Sequence, residues 1–266
     1  MIKLVALGLV LFLTITLTMS LFQNRAVFPT HLVGRAGPLP AGAQRLRLDT
    51  PDGYRLQGLH IAPPRRGSDN RLLVLGFAGN AWNSADVATY LSQIYPDADV
   101  VVFHYRGYAP STGSASAGAL LADAPLVLDA AIQRVRPQRT IAVGFSIGSA
   151  VAASLARRSE VDGLILVTPF DSLKAVAQGH YPWLPVGVFF REEMNSVESL
   201  KGRDTPVALI AGERDTLIPT RRTDALRRKV PNLVYDRTIA GAGHNDIYER
   251  PEFRQAMREA ITVLQR

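Results

Sequence analysis

Gly144-Phe145-Ser146-Ile147-Gly148 is the stretch of this chain whose residue types and spacing suit covalent chemistry. A serine hydroxyl is a weak nucleophile until a base takes its proton and fixed N–H groups receive the charge that develops on the substrate oxygen. The β-rich run Thr140 to Val143 enters the pentapeptide and the small-residue run Ser149 to Ala156 leaves it. That is the strand, sharp turn, helix order of a nucleophile elbow. The apex serine of such a turn occupies a backbone region costly to any residue with a side chain. Gly144 and Gly148 bracket it because a Cβ at either place would collide where strand and helix cross. The turn would raise Ser146 Oγ above the carboxyl edge of a sheet and aim the Ile147 amide, at a helix N-terminus, at a forming oxyanion. The competing reading is a plain glycine-bracketed turn.

A nucleophilic serine needs a base, and the base needs an orienting carboxylate. Behind a nucleophile elbow these follow in the order Asp or Glu, then His, each in a loop after a later strand. Of the five histidines, His31, His60 and His104 precede Ser146 and His180 falls in an irregular segment. His244 remains, in the loop Gly241-Ala242-Gly243-His244-Asn245-Asp246 after the last strand expected. For the acid, Asp215 in Gly212-Glu213-Arg214-Asp215 fits best, with Glu213 two residues away as its rival. Asp246 is too near His244 in sequence to reach round to Nδ1, Asp236 lies inside a strand and Asp204 precedes one. A second oxyanion donor should come from the loop after the strand Leu72 to Phe77, where the Asn80 amide is the best placed.

The elements that would position these residues follow one another in a regular rhythm. A hairpin is expected from Arg45 to Ile61, turning at Thr50-Pro51-Asp52-Gly53, then a polar loop over 63–70. Strands follow at Leu72–Phe77, Val100–Phe103, Thr140–Val143, Gly163–Val167, Val207–Ala211 and Leu233–Ile239. Helical patterns separate them, from Ser84 (a candidate N-cap) to Ile94, Ala115 to Arg134, Ser149 to Ala156, Thr220 to Lys229 and Pro251 to Gln265. Alternation of this kind predicts a mostly parallel, doubly wound sheet covered on both faces. Thr168 to Arg203 breaks the rhythm and reads as a small cap.

At 266 residues the chain has room for one large domain plus an appendage. Residues 4–22 carry no charge and approach the roughly 20 residues of a membrane-spanning helix. They are longer than a signal-peptide core and lack a small-residue cleavage pattern, which predicts an uncleaved anchor over residues 1–24. A Pro-, Gly- and Ala-rich connector over 25–44 would join it to a catalytic domain over 45–266, with the cap at 168–203. Lys3 on one flank balances Arg25 and Arg35 on the other, which leaves the side of the membrane open. The chain has no cysteine, which excludes disulfides, thiol catalysis and cysteine-held zinc. The chemistry calls for no metal and no cofactor. The net charge of +7 includes a cluster, Arg221, Arg222, Arg227, Arg228 and Lys229, that reads as a solvated helix face. Attraction to anionic lipid headgroups is the functional alternative, and the absence of aromatic interleaving argues against nucleic acid.

Six segments together resemble the serine branch of the α/β-hydrolase superfamily. They are Phe77 to Ala81, Tyr105 to Gly113, Gly144 to Gly148, Thr168 to Ser172, Gly212 to Asp215 and Gly241 to Asp246. More narrowly, the chain looks like the single-anchor membrane hydrolases that include depalmitoylases and lysophospholipase-like enzymes. The resemblance implies Ser146, Asp215 and His244 as a triad, with the Asn80 and Ile147 amides as oxyanion hole. Two positions depart from that pattern: Ala78 stands where a histidine is usual and His104 where an aspartate is usual.

The reading that follows is a membrane-anchored esterase or thioesterase. Its substrate would be an acyl-bearing small molecule, lipid or lipidated protein, and its N-terminal helix would meet membrane lipids. Tyr181, Trp183, Phe189 and Phe190 would either line an acyl slot facing the membrane or pack the cap onto the sheet. The rivals are a serine aminopeptidase-like peptidase and a catalytically silent, membrane-tethered binding protein.

Overall fold

A strand that is apolar at nearly every position must be covered on both faces, and such strands form the middle of this sheet. β3 (Leu72–Phe77), β4 (Asp99–Phe103), β6 (Gly163–Val167) and β7 (Val207–Gly212) are buried throughout. β5 (Arg139–Phe145) is buried from its second residue onward. A computed structural model of the chain describes residues 2–64, 71–184 and 186–266. Most of the polar loop expected over 63–70, and Pro185 of the cap, fall outside the described residues.

The remaining strands are β1 (Gln44–Asp49), β2 (Arg55–Ile61) and β8 (Leu233–Ile239). The described strands form one sheet in the order β1-β2-β4-β3-β5-β6-β7-β8. β2 runs antiparallel to both of its neighbours, and every pairing from β4 to β8 is parallel. The order steps outward in both directions from β3, so the carboxyl ends of β3 and β5 meet where the topology switches. In open α/β sheets that crevice is where ligands bind.

α2 (Ser84–Ile94) and α9 (Pro251–Leu264) touch each other against the sheet, and α3 (Ala117–Val135) and α4 (Ile147–Arg158) form a second touching pair. Side-chain caps start α2 and α3: Asn83, not the expected Ser84, accepts from the Ala85 amide, and Ser116 accepts from the Ala119 amide. Such a cap is worth about 1 kcal/mol. α8 (Thr220–Arg227) ends two residues before the expected Lys229. Large apolar side chains such as Phe145, Phe170, Phe253, Leu73, Leu75 and Ile141 are fully buried.

The chain begins with α1 (Ile2–Val27), whose course bends by 64° between residues 6–18 and 23–32. Among the described residues no single helix is long and apolar enough to cross a membrane. The bent pair passes by length and composition together. The segment after α1 is held down rather than free. Phe28 is 3% exposed, the Gly34 carbonyl accepts from Asn83 Nδ2 at 2.9 Å, and the Gly37 amide donates to Asp86 Oδ1 at 2.8 Å. Its composition reads as a linker because those anchors come from the first turn of α2 and leave no periodicity in the segment itself.

The cap contains three short helices, α5 (Leu173–His180), α6 (Val186–Phe189) and α7 (Ser196–Leu200). Phe170, Val176, Leu184, Val186, Met194 and Leu200 are among its buried apolar residues. Tyr181, Trp183 and Phe189 are exposed, so they do not pack the cap onto the sheet. Glu192 reaches across to the start of α3 and accepts from the Ala117 amide at 2.6 Å.

The tightest point in the fold is the crossing of β5, α4 and the end of β3. A Cβ on Gly144 would lie 2.2 Å from the Gly148 oxygen, and one on Gly148 would lie 2.2 Å from the Phe77 oxygen. A Cβ on Gly118 in α3 would meet nothing within 4 Å. Gly144→Ala should therefore lower stability by about 3 kcal/mol or abolish folding. Gly118→Ala should hold or raise stability by up to about 1 kcal/mol. Urea unfolding of the two variants beside the parent checks the contrast, which fails if Gly144→Ala unfolds with the parent.

Candidate active site

β5 delivers the chain into the turn with Ser146 at φ 52 and ψ −116, a region that side chains disfavour. The turn is held by the Ser146 amide, which donates to the Val167 oxygen at 2.8 Å, and by Ser149, whose amide and hydroxyl donate to the Ser146 oxygen at 2.9 and 2.5 Å. Ser146 itself is half-buried.

Three side chains from three carboxyl-end loops form a hydrogen-bonded series at this point. Ser146 Oγ lies 2.9 Å from His244 Nε2, and His244 Nδ1 lies 2.7 Å from Asp215 Oδ2. An ionised carboxylate only accepts, so Nδ1 carries the proton in the neutral imidazole and Nε2 is left to accept from the serine hydroxyl. Asp215 Oδ1 accepts from the Ile218 amide at 2.7 Å, which fixes the carboxylate. Asp215 and His244 are both buried.

The rival acids are engaged elsewhere. Glu213 accepts from the Gly241 amide at 2.8 Å, and Asp246 accepts from the Gly243 amide at 2.7 Å while pairing with Arg250 at 2.6 Å. Both shape the loop that carries His244. Behind the elbow, Phe145, Trp82, Tyr90 and Tyr248 pack ring against ring at 4.8 to 6.5 Å between centroids. Burial pushes the Tyr90 phenol up to about 12 and raises the Tyr248 phenol as well, so both keep their protons.

The loop after β3 lies against Ser146: a Cβ on Gly79 would fall 3.8 Å from Ser146 Cβ. Tyr105 Oη donates to the Ala78 oxygen at 2.9 Å. Asn80 is held at both ends of its side chain, Nδ2 donating to the Val27 oxygen and Oδ1 accepting from Tyr108 Oη. Tyr105 and Tyr108 stand in a segment whose motif is visible in the sequence, but nothing in that motif says that their hydroxyls brace this loop. Gln23, near the end of α1, reaches the cap, donating to the Phe189 oxygen at 3.1 Å and accepting from the Arg191 amide at 2.7 Å.

The arginines expected as a solvated face divide into two groups. Arg222 pairs with Asp171 at 3.2 Å, and Arg227 pairs with Asp224 and, at 2.7 Å, with Asp236. Arg221, Arg228 and Lys229 are exposed. Arg106 holds Asp123 through Nε at 3.0 Å and Nη2 at 2.5 Å, also pairs with Asp52, and lies 4.7 Å over the Tyr54 ring. It ties the β1–β2 hairpin to α3, a structural role. Among the described residues, no group of three or more His, Cys, Asp or Glu side chains is arranged to hold a metal ion.

With that geometry in hand, comparisons with known proteins agree on the class. The α/β hydrolase fold family matches residues 72–192. The chain is 33% identical over 220 residues to the uncharacterized protein Rv2307c of Mycobacterium tuberculosis, covering 79% of this chain and 78% of that one. It is 32% identical over 138 residues to the lysophosphatidylserine lipase ABHD12 of Danio rerio, covering 45% of this chain and 36% of that one. An α/β-hydrolase structure from Vibrio vulnificus superposes with a TM-score of 0.72 at 20% identity, covering 91% and 92% of the two chains. This chain belongs to the α/β-hydrolase family and is by class a hydrolase.

His104, one of the two departures from the family pattern, is 7% exposed and lines a cavity of about 480 Å³ between the segment after α1 and β2. Burial, and after it the Arg45 guanidinium, push its pKa down to about 4 against a smaller upward pull from Asp86. The unfolded chain takes up this proton near pH 6.5, whereas the folded one resists until about 4. His104 therefore disfavours the folded state increasingly as pH falls below 6.5, and the effect is complete near 4. Between pH 7.5 and 4.5 the parent should lose about 2–3 kcal/mol more stability than His104→Gln. Urea unfolding at the two pH values measures this, and equal losses would contradict the assignment.

Proposed function

We propose that this protein is a serine hydrolase that cleaves an acyl ester or thioester through an acyl-enzyme on Ser146. The observation that carries the reading is the continuous series from Ser146 Oγ through His244 to Asp215, at 2.9 and 2.7 Å. In the first half-reaction Ser146 Oγ attacks the substrate carbonyl carbon while its proton passes to His244 Nε2. Asp215 stays ionised, keeps the imidazole in the productive tautomer and stabilises the imidazolium. The tetrahedral oxyanion takes its hydrogen bonds from the Ile147 and Asn80 amides. The carbon–oxygen or carbon–sulfur bond then breaks and the leaving group takes the proton from Nε2. Water adds to the acyl-enzyme in the second half, giving its proton to Nε2. Collapse releases the acid and returns the proton to Ser146 Oγ.

The acyl substrate class is supported by two observations. Tyr181, Trp183 and Phe189 on the cap, and Leu217 just after Asp215, leave large apolar surfaces exposed. A relative of this chain is named for lysophosphatidylserine, a lipid whose acyl chain is held by an ester. Residues 1–24 serve in this reading as a membrane anchor and 25–44 as its connection to the hydrolase domain of 45–266. Leu7, Val10, Leu11, Phe12 and Leu17 are exposed along α1, and a lipid surface would cover them.

Ser146→Ala should abolish turnover of acyl esters and labelling by a fluorophosphonate. Asp215→Asn should lower kcat by roughly 10⁴, because the neutral amide fails both to hold the tautomer and to stabilise the imidazolium. Glu213→Gln and Asp246→Asn should stay near the parent in kcat. Steady-state kinetics, with thermal melting to establish folding, checks the set. A dead Glu213→Gln beside an active Asp215→Asn would move the acid role.

A further inference from the structure

Resting on that reading of Ser146, His244 and Asp215, we propose that the end of the N-terminal helix is a positioning element of the active site and more than a tether. The Val27 carbonyl and the Tyr108 hydroxyl clamp Asn80 between them, and through it the oxyanion loop.

A carboxamide has a donor end and an acceptor end, and the Val27 carbonyl fixes which end faces which partner. The Val27 carbonyl can only accept, so Nδ2 faces it, while the Tyr108 hydroxyl donates to Oδ1. Burial raises the Tyr108 phenol above its usual range, so it keeps its proton. Val27 is the last residue of α1. Its carbonyl is one of those a helix leaves without an internal donor, at the negative end of the helix dipole, and it attracts an N–H. The next residue, Phe28, seats this carbonyl: its side chain is 3% exposed in the core and its amide closes on the Asn24 oxygen at 2.8 Å.

One turn earlier, Gln23 grips the cap at the Phe189 oxygen and the Arg191 amide. A single stretch, Gln23 to Phe28, thus touches both the loop beside Ser146 and the rim of the cap. Ala78 has no side chain with which to brace the loop from within. The external clamp supplies that constraint, and a misplaced oxyanion donor is costly: loss of one lowers kcat by about 10²–10³.

The test is a double-mutant cycle in the full chain between Asn80→Ala and Phe28→Ala, read as kcat, KM and melting temperature on a water-soluble short-chain ester. Asn80→Ala should lower kcat by about tenfold or more with KM within about twofold, because the donor acts on the transition state. Phe28→Ala should produce a comparable loss although its side chain meets no substrate. The double variant should be no slower than the slower single, because both changes release the same clamp. Should Phe28→Ala not fold, Phe28→Leu gives the same coupling at smaller amplitude. Multiplying effects, or a Phe28 variant that melts earlier yet keeps the parent kcat, would overturn the inference. Ser146→Ala in the same assay separates the two claims. If it still turns over, the serine reading itself fails. If it is dead while Asn80 and Phe28 act independently, only the clamp is refuted.

Discussion

The arrangement depends first on a close approach of backbones. Helix α4 can leave β5 in a single sharp turn only because neither Gly144 nor Gly148 carries a Cβ; either would meet an oxygen at 2.2 Å. That approach holds Ser146 at a positive φ, and the hydrogen bonds from Ser146 N to the Val167 oxygen and from Ser149 to the Ser146 oxygen keep it there. An unfavourable conformation persists where its surroundings over-determine it. The flanking β3, β6 and β7 are parallel and buried throughout, so the turn rests on the core of the sheet.

Polar groups around the elbow are consistently paired, which matters because an unpaired one is expensive in a buried setting. Asp215 has both carboxylate oxygens occupied, by His244 and by the Ile218 amide. Glu213 and Asp246 spend their charge on the backbone of the His244 loop. Arg106, Arg222 and Arg227 likewise hold carboxylates inside the fold. Such pairs are already subtracted in the net charge of +7, which basic residues outside them carry.

The sheet is legible because its central strands are largely apolar and its helices carry separate periodic patterns; Leu72–Phe77, Gly163–Val167 and Leu233–Ile239 have the expected bounds. The proximity of Ser146, Asp215 and His244 followed from chain order and from loops placed after strands. What escaped was set by long-range partners. Asn83 rather than Ser84 caps α2, because either type can cap and only the backbone angle decides. The cap helices were missed because α6 and α7 are too short to show a period. The Tyr105 and Tyr108 hydroxyls, and the Val27 carbonyl, acquire their roles only once segments distant in sequence meet. The 64° bend in α1 coincides with the region where Gln23 turns to the cap, a contact that hydropathy does not report.

The central claim is that substrate acyl groups pass through Ser146. Rapid mixing with an excess of a chromogenic acyl ester, acid quenching within the first turnovers and peptide mass spectrometry would test it most directly. The account predicts a burst of leaving group close to one equivalent per protein and a mass increase of one acyl group on the peptide containing Ser146. An acyl group found on another residue, with Ser146 unmodified while turnover proceeds, would contradict it.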